Sequence, residues 1–101
     1  MRKVIEGGVD LSSLHLTELP DLSDVDVIGW VGCQNNNLTS LEGCPKTVGG
    51  SFFCNYNNLT SLEGIPKTIK GNFYIDKSLK DKFPKGYIRS LCKIRGKVVY
   101  V

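Results

Sequence analysis

Histidine, tryptophan and methionine occur once each in the 101 residues of this chain, and long apolar runs are missing altogether. Without a stretch near the roughly 18 apolar residues a span requires, no membrane helix is expected. The start of the chain, Met1-Arg2-Lys3-Val4-Ile5-Glu6-Gly7, reaches an acid and a glycine before any apolar run, so no secretory leader is read there and a cytoplasmic protein is expected. The four cysteines, Cys33, Cys44, Cys54 and Cys92, form no C-x-x-C pair, and His15 is the sole imidazole available to complete a zinc set. Neither a structural metal nor a disulfide framework is therefore expected, and the thiols read as small buried apolar groups in a reducing compartment. Glycine-rich phosphate loops, G-x-S-x-G elbows and H-E-x-x-H helices are also missing, so the expectation is a protein with no cofactor and no enzymatic activity.

What remains is enough for one soluble domain, at 41% hydrophobic and 23% charged residues. The formal charge of +3 conceals a polarity: residues 1–50 hold three bases and seven acids, while residues 51–101 hold ten bases and three acids. The halves thus carry −4 and +7.

The chain repeats itself. Asn37-Leu38-Thr39-Ser40-Leu41-Glu42-Gly43-Cys44-Pro45-Lys46-Thr47-Val48 returns 21 residues later as Asn58-Leu59-Thr60-Ser61-Leu62-Glu63-Gly64-Ile65-Pro66-Lys67-Thr68-Ile69. Weaker copies surround it: Val27-x-Gly29-x-Val31-x-Cys33, Val48-x-Gly50-x-Phe52-x-Cys54 and Ile69-x-Gly71-x-Phe73-x-Ile75, with Ile5-x-Gly7-x-Val9-x-Leu11 a further 22 residues back. Alternation with a period of two marks a strand with one buried face, and the glycine and proline that follow punctuate a turn. Such a unit cannot bury its apolar face alone, so neighbouring units must supply the core. The inward column Leu11, Cys33, Cys54 and Ile75 makes two cysteines rungs of that core, and Cys44 aligned with Ile65 makes a third.

This unit, C-x-x-N-x-L followed by T-S-L-E-G-x-P-K-T, resembles the leucine-rich repeat in its short form of about 20 to 22 residues, as in bacterial effector leucine-rich proteins and small repeat proteins encoded by bacteriophages. The resemblance implies an α/β-type solenoid: a leucine-rich-repeat stack of four coils, starting near 5, 27, 48 and 69, with a parallel concave β-sheet. It also implies that Asn36 and Asn57 hydrogen-bond the main chain where it leaves each strand. The repeat domain is placed at residues 1–76 and a basic capping segment at 77–101. Within the cap, residues 76–84 read as a short helical turn stopped by Pro84. Residues 87–101 read as a β-hairpin about Arg95-Gly96 that covers the open sheet edge, with a helix over 87–94 as the alternative.

If odd positions of each strand point inward, even ones point out and line up between coils. Ile28, Trp30, Ser51, Phe53, Asn55, Asn72 and Tyr74 then share an outer face, continued by Tyr56, and aromatics on such a face are the residues interfaces favour. A protein-binding face is expected, with cross-strand packing of the same rings as the alternative. The resemblance implies a host bacterial protein as the partner, modulated or inhibited by occupation. The cap offers a second candidate, since Lys80, Lys82, Lys85, Arg89, Lys93 and Arg95 could contact the phosphates of a nucleic acid. Lysines also blunt sheet edges, and a self-associating module is the third reading. Some effectors carry a ubiquitin-ligase domain after their repeats; with about 25 residues following the repeats here, that activity is not expected of this chain. Cys92 alone is left unexplained by the repeat, and reads as a structural thiol before a nucleophile.

Overall fold

The computed structural model describes residues 3–101, and over that range the chain is a small α/β fold built on two parallel sheets. The first sheet runs β1 (Lys3–Ile5), β3 (Val25–Val27), β5 (Thr47–Val48), β7 (Thr68–Ile69) and β9 (Lys93–Ile94) in that spatial order. The second contains β2 (Val9–Asp10), β4 (Val31–Gly32), β6 (Phe52–Phe53), β8 (Phe73–Ile75) and β10 (Val98–Tyr100). Each apolar alternating segment therefore makes two strands, one in each sheet, where the sequence predicts one strand in a single concave sheet. Alternation continues across both strands, so periodicity cannot reveal the corner between them.

Glycine makes the corner. Gly50 N–H donates to the Gly29 carbonyl at 2.9 Å, Gly71 N–H to Gly50 at 3.0 Å and Gly96 N–H to Gly71 at 3.0 Å. A Cβ on Gly71 would lie 2.7 Å from the carbonyl carbon of Gly50, and one on Gly96 would lie 2.4 Å from the Gly71 oxygen. Backbones stack this closely only where no side chain intervenes.

The register follows the sequence repeat: Val31 pairs with Phe52, Phe52 with Phe73, and Val27 with Val48. Equivalent inward residues consequently pile into columns. Val27, Val48 and Ile69 form one, and Val31, Phe52 and Phe73 another, all buried, with the two phenyl rings parallel and 5.7 Å apart. Cys33, Cys54 and Ile75 form a third, as expected, while Leu11 at its end is half-buried. Leu38, Leu41, Leu59 and Leu62 close the core from the turn side. Full burial of one such side chain is worth about 1.5 to 3 kcal/mol.

Turns leaving the second sheet carry irregular backbone, and two asparagines satisfy it. Asn36 Nδ2 donates to the carbonyls of Leu11 (2.8 Å) and Cys33 (3.0 Å), while its Oδ1 accepts from the N–H groups of Leu14 (3.1 Å) and Leu16 (2.9 Å). Asn57 repeats the arrangement between Cys33 (3.0 Å), Cys54 (3.1 Å) and Leu38 N–H (3.0 Å). At the next step the buried Asp76 takes over, its carboxylate accepting from Tyr56 N–H and, at 3.2 Å, from Asn57 N–H. A buried carboxylate survives there because backbone donors hold it.

The C-terminal segment differs from its expected form. A 3₁₀ turn at Lys77–Leu79 agrees with the short helical turn, but the hairpin is replaced by α1 (Lys85–Leu91) and two strands that lie in different sheets. β9 pairs in parallel with β7, and β10 with β8, so each sheet has five strands rather than four. Gly96 stands at the corner, in column with Gly71, instead of in a hairpin turn. A hairpin would pair only one of its strands with the fold; the observed path covers the edges of both sheets at once. Ile88 of α1 and the preceding Phe83 enter the core.

Candidate functional site

Part of the predicted binding set falls on the second sheet's outer face. Phe53 and Tyr74 are neighbours across β6 and β8, with rings parallel at 4.6 Å, close to the strand spacing itself. Trp30 precedes β4 and does not join that stack. Its indole lies across the first unit, where a Cβ on Gly8 would come within 2.2 Å of Cε2. Gly32, on the same face, leaves room on the other side, with Cζ3 at 3.3 Å from where its Cβ would be. Trp30 remains 44% exposed and Ile28, at the corner, 57%.

Between the indole and the Phe53 ring lies an open depression of ≈ 580 Å³ lined by Gly29, Trp30, Gln34, Gly50, Ser51 and Phe53. Its floor is made of small residues because Gly50 must be glycine at the corner and Ser51 occupies the position that Trp30 holds one unit earlier. Two aromatic walls over a glycine and serine floor make a seat for an apolar side chain. Ser51 Oγ accepts from Asn72 N–H at 3.1 Å, Asn72 Nδ2 donates to the Tyr74 hydroxyl at 3.1 Å, and Asn72 Oδ1 accepts from Lys97 N–H at 2.8 Å. Asn72 thus orients the Tyr74 rim.

Other predicted residues lie elsewhere. Asn55 is half-buried, and its Oδ1, like Gln34 Oε1 in the same column, is a buried acceptor with no hydrogen-bond partner among the described residues. Tyr56 is 62% exposed but sits on the turn, in a left-handed conformation (φ 59°) that it shares with Asn35 one unit before and Ser13 two units before.

The basic candidates divide. Lys80, Lys85 and Arg89 converge, with Lys77 and Lys97, on a second depression of ≈ 380 Å³ beside β10. Lys82 turns instead over the Phe83 ring at 5.5 Å, and Lys93 and Arg95 do not line the depression. Arg89 is committed to backbone, its Nη1 donating to the Ile94 carbonyl at 2.8 Å and its Nη2 to Gly96 at 3.0 Å. Lys77 and Lys97 belong to the same run of eight bases between residues 77 and 97 in the sequence, and the structure brings both into this cluster.

All four cysteines are free and buried. Burial pushes the Cys33 thiol up to about 12 and that of Cys92 up to about 11, and raises Cys44 and Cys54 as well. They are protonated at neutral pH, the inert form. No helix among the described residues is long and apolar enough to cross a membrane. Comparison of the chain with protein-family models, curated proteins and solved structures finds no match.

Proposed function

We propose that the chain is a short leucine-rich-repeat solenoid without chemistry of its own, which binds a protein partner through the outer face around Trp30, Phe53 and Tyr74. Parallel strands in repeat register, the glycine corner and the asparagines under each turn support the solenoid reading. The observation that carries the binding reading is the depression between Trp30 and Phe53, an apolar seat with aromatic walls on a solvent-facing sheet. A partner side chain seated there would cover apolar surface now open to water. The resemblance to phage-encoded repeat proteins extends the reading to a host bacterial protein in the cytoplasm, occupied stoichiometrically and thereby modulated.

The test is an affinity capture from bacterial lysate with the native chain and with a Trp30→Ser/Phe53→Ser variant. The variant is expected to lose the partner while its Tm moves by less than about 8 °C. Binding should also shift the fluorescence of Trp30, the chain's single tryptophan, to the blue. Unchanged capture by the variant would remove the reading, and a collapsed Tm would assign the rings to sheet stability instead.

A further inference from the structure

The two ends of the second sheet are finished differently. In its parallel ladder, alternate residues of an end strand turn their N–H and C=O groups away from the neighbour. At the first end, β2, Asp10 folds back so that its Oδ1 accepts from Ser12 N–H at 3.0 Å and from the Ser12 hydroxyl. That edge is blunted by its own carboxylate. At the last end, β10 uses the Lys97 carbonyl and both backbone groups of Val101 toward β8 and the segment after it, so the N–H and C=O of Val98 and Tyr100 face outward. Among the described residues none of these four groups has a partner. The first sheet ends otherwise again, with Arg89 covering the carbonyls of Ile94 and Gly96.

The open β10 edge is also the floor of the ≈ 380 Å³ depression, whose walls carry Lys77, Lys80, Lys85, Arg89 and Lys97 and no carboxylate. Lys80 Nζ stands 5.8 Å from the centre of the Tyr100 ring, and the Tyr100 hydroxyl is tied to the Phe83 carbonyl at 2.6 Å, which holds the edge rigid. A strand edge inside a ring of lysines that form no ion pair among the described residues asks for two things at once: a backbone to pair with and negative charge beside it. We propose that β10 is a receptor strand, to which an extended acidic peptide segment of a partner protein adds as a sixth strand of the second sheet, its carboxylates held by Lys77, Lys80, Lys85 and Lys97. A nucleic acid satisfies only the charge. Phosphates are acceptors and would leave the Val98 and Tyr100 carbonyls unpaired, and the guanidinium best suited to grip them is already spent on backbone. A second copy of this chain would bring its acidic first unit, but the β2 edge it offers is only two residues long, and the Ser12 N–H that follows it is already taken by the Asp10 carboxylate.

The test uses the native chain and a fluorescent peptide of about eight residues alternating Glu and Val, read by anisotropy at low salt. Saturable binding is expected, with slowed hydrogen exchange at the Val98 and Tyr100 amides. A peptide of the same sequence, N-methylated along its pairing edge, should bind at least about tenfold more weakly. Lys80→Glu/Lys85→Glu, at two exposed positions whose change leaves the fold intact by circular dichroism, should weaken the native peptide by a similar factor. Equal affinity for the two peptides, or no loss in the double variant, overturns the proposal. So does a single-stranded oligonucleotide that binds more tightly than the peptide, or self-association of the chain abolished by the double variant. Trp30→Ser/Phe53→Ser should leave peptide binding unchanged, which separates this site from the aromatic face.

Discussion

The middle of the molecule and its last unit reach the same arrangement by unlike means. From residue 27 to residue 69 the chain keeps one offset, nearly word for word where residues 37–48 return as 58–69, and one step of 21 residues advances every strand, glycine and leucine to its neighbour. From β8 to β10 the step is 25 residues, the T-S-L-E-G turn gives way to a 3₁₀ turn and α1, and an aspartate replaces the asparagine beneath the turn. What both regions keep is small: a glycine stacked on the glycine before it, two inward apolar residues after it, and one before. The comparison separates the requirements of the fold from the habits of the repeat. Strand register and corner are required, whereas the connection on the far side is free to be a turn or a helix.

That separation can be broken at the corner. Gly71→Val places a side chain against the Gly50 backbone, and is expected to cost about 4 kcal/mol or more and abolish the cooperative unfolding transition followed by circular dichroism. Retention of a normal melt would mean the corner can open. Next in size, Ile88→Ala removes a fully buried side chain of α1 and should cost about 3 kcal/mol in denaturant unfolding, matching Leu41→Ala in the middle. If the last unit were only docked on the others, the melt of Ile88→Ala would instead split into two transitions. Asn57→Ala exposes the unmet carbonyls of Cys33 and Cys54 and should cost about 2 kcal/mol, with Asp76→Ala close behind. A much smaller cost for Asp76 would show that the end turn is satisfied by water.

The smallest expected effect concerns pH. Burial holds the folded thiols above their ordinary value of 9.0, so below that pH they are protonated in folded and unfolded chains alike and stability is insensitive to them. Above pH 9 the unfolded thiols ionise first, and stability falls by about 1.4 kcal/mol per thiol and pH unit until the folded values are reached. Urea midpoints between pH 8 and 10.5 should show that decline, and Cys92→Ala should make it shallower. Thiol reagents should find all four groups slow in the native chain.

Much of the architecture was legible because the repeat states the register outright: knowing that Val31, Phe52 and Phe73 are equivalent is knowing which residues touch. The burial of Cys33, Cys44 and Cys54 followed from the same columns. The corner was hidden by the very alternation that disclosed the strands, since a glycine within a period-two pattern changes the chain's direction without changing its phase. The last unit was missed because a longer step broke the offset, although Ile94-x-Gly96-x-Val98-x-Tyr100 matches Ile69-x-Gly71-x-Phe73-x-Ile75 position for position. On the outer face, the sequence placed Phe53 beside Tyr74 but could not tell that Trp30 would lie back over Gly8, because an empty glycine site directs a ring only once the neighbour is in place.

The glycine corner sets how this molecule can change size. Because each corner touches only the one before and the one after, a further 21-residue segment copied from the middle would meet, on both sides, the surfaces its template already meets. Length would grow in increments of about 4.8 Å, one strand spacing, while the aromatic face and the lysine-ringed edge moved apart intact. Duplication within the gene is thus a ruler for the distance between these two surfaces.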